Sequence, residues 1–75
     1  LMCTKSKIRQ RAADMAASLF TEGYIKTFSL MLPASVFYKL KHKQNGNVIT
    51  IIGNYSKQEI VLRRNGRVRH TEMIE

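Results

Sequence analysis

Apolar residues recur at helical spacing only in the first third of the chain. Ile8, Ala12, Met15, Ala16 and Leu19 fall on one face of a 3.6-residue repeat, which predicts an amphipathic helix from residue 4 to about 22. Thr4 or Ser6 is placed to cap its start, and Gly23 to end it at the C′ position. At 100° per residue, Lys5 and Arg9 border one flank of the stripe while Lys7 and Arg11 border the other. The stretch from Tyr24 to Leu32 is open to two readings, a strand rich in Tyr, Ile, Thr and Phe or a second helix before the proline. Both readings lead into a helix from Pro33 through about His42, with Pro33 in the first turn, Val36, Phe37 and Leu40 on one side, and Asn45-Gly46 at its end.

The remainder reads as β. The segments 47–52 (NVITII) and 58–64 (QEIVLRR) are rich in β-branched residues and flank the loop GNYSK, and RVRHTEMI supplies a weaker third strand after Asn65-Gly66. The expected fold is therefore α+β: an N-terminal helix, a second helix after Pro33, and a C-terminal three-stranded antiparallel meander. Residues 48–52 are apolar on both alternating faces, which predicts a central strand or one at a subunit contact. Neither an internal repeat nor a low-complexity segment interrupts residues 1–75, which read as one small basic domain.

Composition then changes the picture. Thirteen Lys and Arg stand against five Asp and Glu, a net charge of +8, which points to a polyanionic partner. Nucleic acid is the commonest such partner of a compact basic domain, ahead of an anionic membrane surface. A hydrophobic content of 44% argues against disorder. A chain of this size buries only about 60% of its unfolded surface, so a homodimer is expected to supplement a thin core. The single Cys3 excludes an internal disulfide framework, and no Cys/His spacing suits a structural zinc, so a cytoplasmic setting and no metal or cofactor are expected. The run FSLMLPASVFY at 28–38 is too short and too interrupted for a membrane span. The opening LMCTKSKIRQR lacks the apolar core of a signal peptide.

The densest charge lies in RRNGRVRH, residues 63–70. Asn65-Gly66 is a strong hairpin-turn signal, and a two-residue turn there sets Arg64 opposite Arg67, an unfavourable like-charge pair that a passing polyanion relieves. The candidate nucleic-acid contacts are Arg63, Arg64, Arg67 and Arg69 at this turn, Lys39, Lys41 and Lys43 at the end of the second helix, and Arg9 and Arg11 on the first. The three lysines also complement a helix dipole.

Two helices followed by an arginine-tipped hairpin resemble a winged helix-turn-helix domain, which implies Pro33–Lys43 as recognition helix and RRNGR as a wing touching phosphates. With Tyr24–Leu32 as a strand, KTFSLMLPASVFYKLK instead resembles the strand-proline-helix pattern of ribbon-helix-helix repressors, and the run on into GNVITI and EIVLRR is similar to swapped-hairpin transcription factors. The expected function is a small DNA-binding regulator or accessory factor of phage or plasmid type, with duplex DNA favoured over RNA. The alternative is a small basic ribonuclease built on His70, Arg63, Arg64, Arg67, Lys57 and Tyr55; with one histidine and no second well-placed acid or base, no catalytic set is assigned. A structural protein-interaction module is the third reading. His42, between two lysines, reads as an ordinary exposed histidine ahead of a phosphate-facing one. Phe28 and Phe37 are expected in the core, which leaves Tyr38 and Tyr55 as platforms for base stacking.

Overall fold

The computed structural model describes residues 3–75. A helix, α1 (Thr4–Phe20), is followed by five strands: β1 (Tyr24–Met31), β2 (Ser35–His42), β3 (Val48–Asn54), β4 (Glu59–Arg64) and β5 (Arg67–Met73). They form one antiparallel meander in the order β1-β2-β3-β4-β5. The first helix and the last three strands match the sequence expectation. The second helix does not exist, and the sheet has five strands rather than three.

The correction at residues 33–42 has a physical cause. Val36, Phe37 and Leu40 suit a helical face, but the same segment also alternates, with Val36 and Leu40 buried and Phe37, Lys39 and Lys41 on the opposite side. Val, Phe and Tyr favour a pleated surface. A strand here gains two ladders, one to β1 and one to β3. Pro33 then lies in the β1–β2 turn, closed by the Leu32 N–H donating to Ser35 O at 2.8 Å, and Asn45-Gly46 falls in the β2–β3 turn. The winged-helix and ribbon-helix-helix layouts both require the missing helix, so neither describes this chain. Tyr24–Met31 is the strand of the first alternative.

The core is a single layer between α1 and one face of the sheet. Ile8, Ala12, Met15 and Ala16 from the helix pack on Tyr24, Val36, Leu40, Ile49, Ile51 and Ile60. Gly53 permits the closest approach, since a Cβ there would stand 2.5 Å from Ile8 Cγ2 and 2.9 Å from Val36 Cγ1. The N-cap residue is Cys3, without a side-chain cap bond, so neither Thr4 nor Ser6 fills that role. Gly23, at φ 95°, carries the chain from α1 into β1, but it stands two residues after the C-cap Thr21 rather than at the C′ position.

The opposite face of the sheet has no covering layer among the described residues. β3 is central in the sheet, but its Val48, Thr50 and Ile52 are only half-buried, by neighbouring strands rather than by a second layer. Phe28 was expected inside and is 50% exposed; Phe37, beside it, is half-buried. No helix among the described residues is long and apolar enough to cross a membrane.

Gly53→Ala should lower stability by about 1–3 kcal/mol, because the added methyl must displace Ile8 or Val36 in a packed core. Urea denaturation followed by circular dichroism measures it. An unchanged midpoint would show that α1 does not sit this tightly on β3.

Candidate nucleic-acid interface

Antiparallel register brings seven of the nine sequence-predicted cations toward one end of the sheet. Ile49 at the start of β3 pairs with Arg64 at the end of β4, so the β2–β3 turn and the β4–β5 turn lie side by side. Asn65 joins them. Its Oδ1 accepts from the Val48 N–H at 2.9 Å, its own N–H donates to Val48 O at 2.8 Å, and its Nδ2 donates to Asn47 Oδ1 at 3.1 Å. Asn65 and Gly66 have φ of 51° and 82°, the paired positive values of the hairpin turn that Asn-Gly favours. Arg64 and Arg67 face each other across the strands, as the turn chemistry implied.

Strand alternation sorts the remaining cations. Lys39, Thr50 and Arg63 are consecutive cross-strand partners on the open face, with Phe28 and Val68 at the two ends of that row. Lys41 lies two residues along β2 on the same face, and Lys43 follows in the turn. Arg64 and Arg67, in register with the inward-facing Ile49, lie on the other side of the sheet at its exposed tip. The register shift after Leu62 leaves Arg69 as the extra, exposed residue of a bulge in β5. The four arginines and three lysines thus surround one end of the sheet and reach both of its sides. On the open face, Glu59 is the one carboxylate, at the far end opposite Asn54.

Arg9 and Arg11 are not part of this group. Both project from α1, which covers the other face. Arg9 Nε donates to Tyr55 Oη at 2.9 Å, and its guanidinium stands 5.6 Å from the centre of that ring. Arg11 grips Glu72 with two bonds, Nε to Oε2 at 2.7 Å and a second nitrogen to Oε1 at 3.1 Å. His70 Nε2 lies 2.8 Å from the same carboxylate. Arg11 foremost, and then His70, hold the Glu72 carboxyl down to about 2. These contacts fasten α1 to β5 and to the β3–β4 turn.

The residues of the ribonuclease reading are dispersed. Tyr55 and Lys57 lie in the β3–β4 turn, at the end of the sheet opposite Asn65-Gly66, and His70 and Arg63 are on opposite faces. His42 is occupied locally: its Nδ1 accepts from the Gln44 and Asn45 N–H groups, its Nε2 meets Glu22 O at 2.9 Å, and its ring packs edge-on against Tyr24. Tyr38 and Tyr55 pack against the core cluster. Among the described residues no three His, Cys, Asp or Glu side chains approach closely enough to share a metal ion. What sequence reasoning missed is the aromatic pair Phe28 and Phe37 on the open face, centroids 5.9 Å apart and planes at 59°. The alternation of Phe37, Lys39 and Lys41 was the signal for it.

Glu72 also makes a pH prediction. Its folded pKa lies below the ordinary carboxylate value of 4.5, so its contribution to stability is full above that value and is lost as pH falls through about 2. Because Arg11 is 45% exposed, solvent screening keeps that contribution to about 1 kcal/mol or less. Glu72→Gln should lower the thermal midpoint slightly at pH 7 and narrow its gap from wild type at pH 2–3. A gap that widens in acid would contradict the pairing.

Comparison with protein-family models, curated proteins and solved structures returns no match.

Proposed function

We propose that the protein binds nucleic acid through the cationic end of its sheet, as a regulator or accessory factor. The observation that carries this reading is the convergence of Lys39, Lys41, Lys43, Arg63, Arg64, Arg67 and Arg69 around the two turns joined by Asn65. None of these side chains forms a salt bridge, whereas Arg11 does. Unpaired cations on neighbouring strands, Arg64 and Arg67 directly opposed among them, repel one another, and a phosphate backbone would remove that repulsion while releasing its own counterions. The segment that would have entered a major groove as a helix is a strand, so backbone contact replaces helical base reading. The exposed thiol of Cys3 suits a reducing compartment, and we place the protein in the cytoplasm.

A homodimer forms part of the proposal, located at β1. This edge strand pairs only with β2, carries Lys26 as its one charge, and exposes Ile25, Phe28, Leu30 and Met31. The other edge, β5, is guarded by Arg67, Arg69, Glu72 and a bulge, which are the usual defences against edge pairing. Two β1 strands pairing antiparallel about a two-fold axis cover the unguarded edge and leave the cationic ends free.

Arg64→Ala combined with Arg67→Ala should weaken binding by a similar factor on every sequence tested. If about five phosphates are neutralised, log K should fall with log salt at a slope near −4, and the double variant should be shallower by about 1.5–2. Its folding stability should be unchanged or slightly raised, since the removed charges oppose each other across the strands. Absence of binding at low salt would refute the reading. For the dimer, sedimentation equilibrium at micromolar concentration should give twice the chain mass, and Leu30→Lys should give a monomer; a monomeric wild type would refute the edge contact.

A further inference from the structure

We infer that the open face of the sheet is a stacking platform for single-stranded DNA, centred on Phe28. The inference rests on the nucleic-acid reading and narrows it to a ligand. Phe28 and Phe37 project from neighbouring strands in a tilted contact, not a parallel stack, and the Phe28 ring is half exposed. Phe28 is the cross-strand partner of Lys39, which leads through Thr50 to Arg63. An exposed ring with an ammonium beside it and a guanidinium two strands further on supplies what an unpaired strand offers, base faces to stack and phosphates to neutralise.

A duplex offers the exposed ring no base face to stack on. The base faces of a duplex are hidden in its own stack, and five strands measure roughly 19 Å between outer axes against a major groove of about 12 Å. A second copy laid on this face is disfavoured by charge, because Lys39, Lys41 and Arg63 of each chain would be desolvated with Glu59 as the one carboxylate to answer them. Rings and cations address base faces and phosphates, the parts that RNA and DNA share, so the commitment to DNA is the part of the inference that oligouridylate tests.

The chain contains no tryptophan, so Phe28→Trp gives a single indole reporter at the platform. Wild-type protein should bind an oligothymidylate of about 20 nucleotides more tightly than a duplex of equal length at the same salt. Phe28→Leu, which keeps an apolar side chain but removes the π face, should weaken oligothymidylate binding by about 5- to 150-fold and leave the duplex within about twofold. Phe28→Trp should retain affinity, and its fluorescence should be quenched on titration with oligothymidylate. An oligouridylate should bind no more tightly than oligothymidylate.

Circular dichroism and sedimentation of each variant keep the outcome interpretable. The inference is overturned if the duplex binds as tightly as the single strand, if Phe28→Leu weakens both or neither, or if the indole signal does not respond. Oligouridylate binding more tightly than oligothymidylate overturns the assignment to DNA. A change of chain mass on Phe28→Leu, with binding lost in parallel, would give the face to a second copy. In each of these cases salt-dependent binding that is weakened in the Arg64/Arg67 double variant still stands by itself. Failure of the wild type to bind any nucleic acid at low salt removes both readings.

Discussion

The contact of Ile8 with Gly53 and Val36 holds α1 against the middle of the sheet, and the distribution of exposed surface depends on it. A helix of 17 residues is about 25 Å long and about 10 Å across. Laid on β3, it covers the centre of one face of a five-stranded sheet and nothing of the other. Ile49, Ile51 and Ile60 are buried by it, while the hairpin tip beyond β1 leaves Leu30, Met31 and Leu32 exposed. Ala12 and Ala16 keep the helix close, so the core gains tight packing from small residues and has little width. Gly53 is the point where a larger residue would lift the helix from its seat.

Because a strand turns alternate side chains to opposite faces, burial of Val36 and Leu40 under the helix commits Phe37, Lys39 and Lys41 to the open side. The same constraint on β4 buries Ile60 and sends Val61 and Arg63 outward. The open face is thus determined by the core, with an apolar row from Leu30 through Phe37, Ile52 and Val61 and, next to it, the row that holds Lys39 and Arg63. A shift of one residue in register would exchange the two faces, and a buried Lys39 or Arg63 would then have no partner.

This logic shows where the sequence was legible. The period of Ile8, Ala12, Met15 and Ala16 matches one structure only, and the helix lies there with its end two residues short of the expected one. Asn65-Gly66 has a narrow conformational preference, so its turn and the Arg64–Arg67 pairing were readable before any fold was known. Residues 35–42 satisfied two periods at once. Val36 with Phe37 and Leu40 marks a helical face, and Val36 with Leu40 also marks one side of a strand. What decides between them is a neighbour on each side, β1 and β3, and such long-range pairing is absent from any local window. Misreading that segment concealed the open face, and with it the exposure of Phe28. Candidate cations were identifiable from composition, but their division into a free group on the sheet and an engaged pair on the helix required the register.

The acidic residues complete the electrostatic picture. Glu72 lies on β5 with Arg11 and His70 on its carboxylate, and Lys7 Nζ donates to the main-chain oxygen of Glu75 at 2.9 Å. On the helix side, the Glu72 carboxylate meets Arg11 and His70 and the Asp14 carboxylate on α1 accepts from Gln10, while Glu22 lies in the connection to β1. Glu59 alone remains for the open face. A net charge of +8 spread evenly would give a weak field everywhere. Placing most of the acids away from the open face concentrates the uncompensated charge at the turns held by Asn65, a field of one sign of the kind the proposed polyanion would be steered by. Stability and proposed function thus draw on different charges of the same chain: pairing at Glu72 secures α1, and the absence of pairing at Arg64 and Arg67 leaves an uncompensated positive charge at the tip of the sheet.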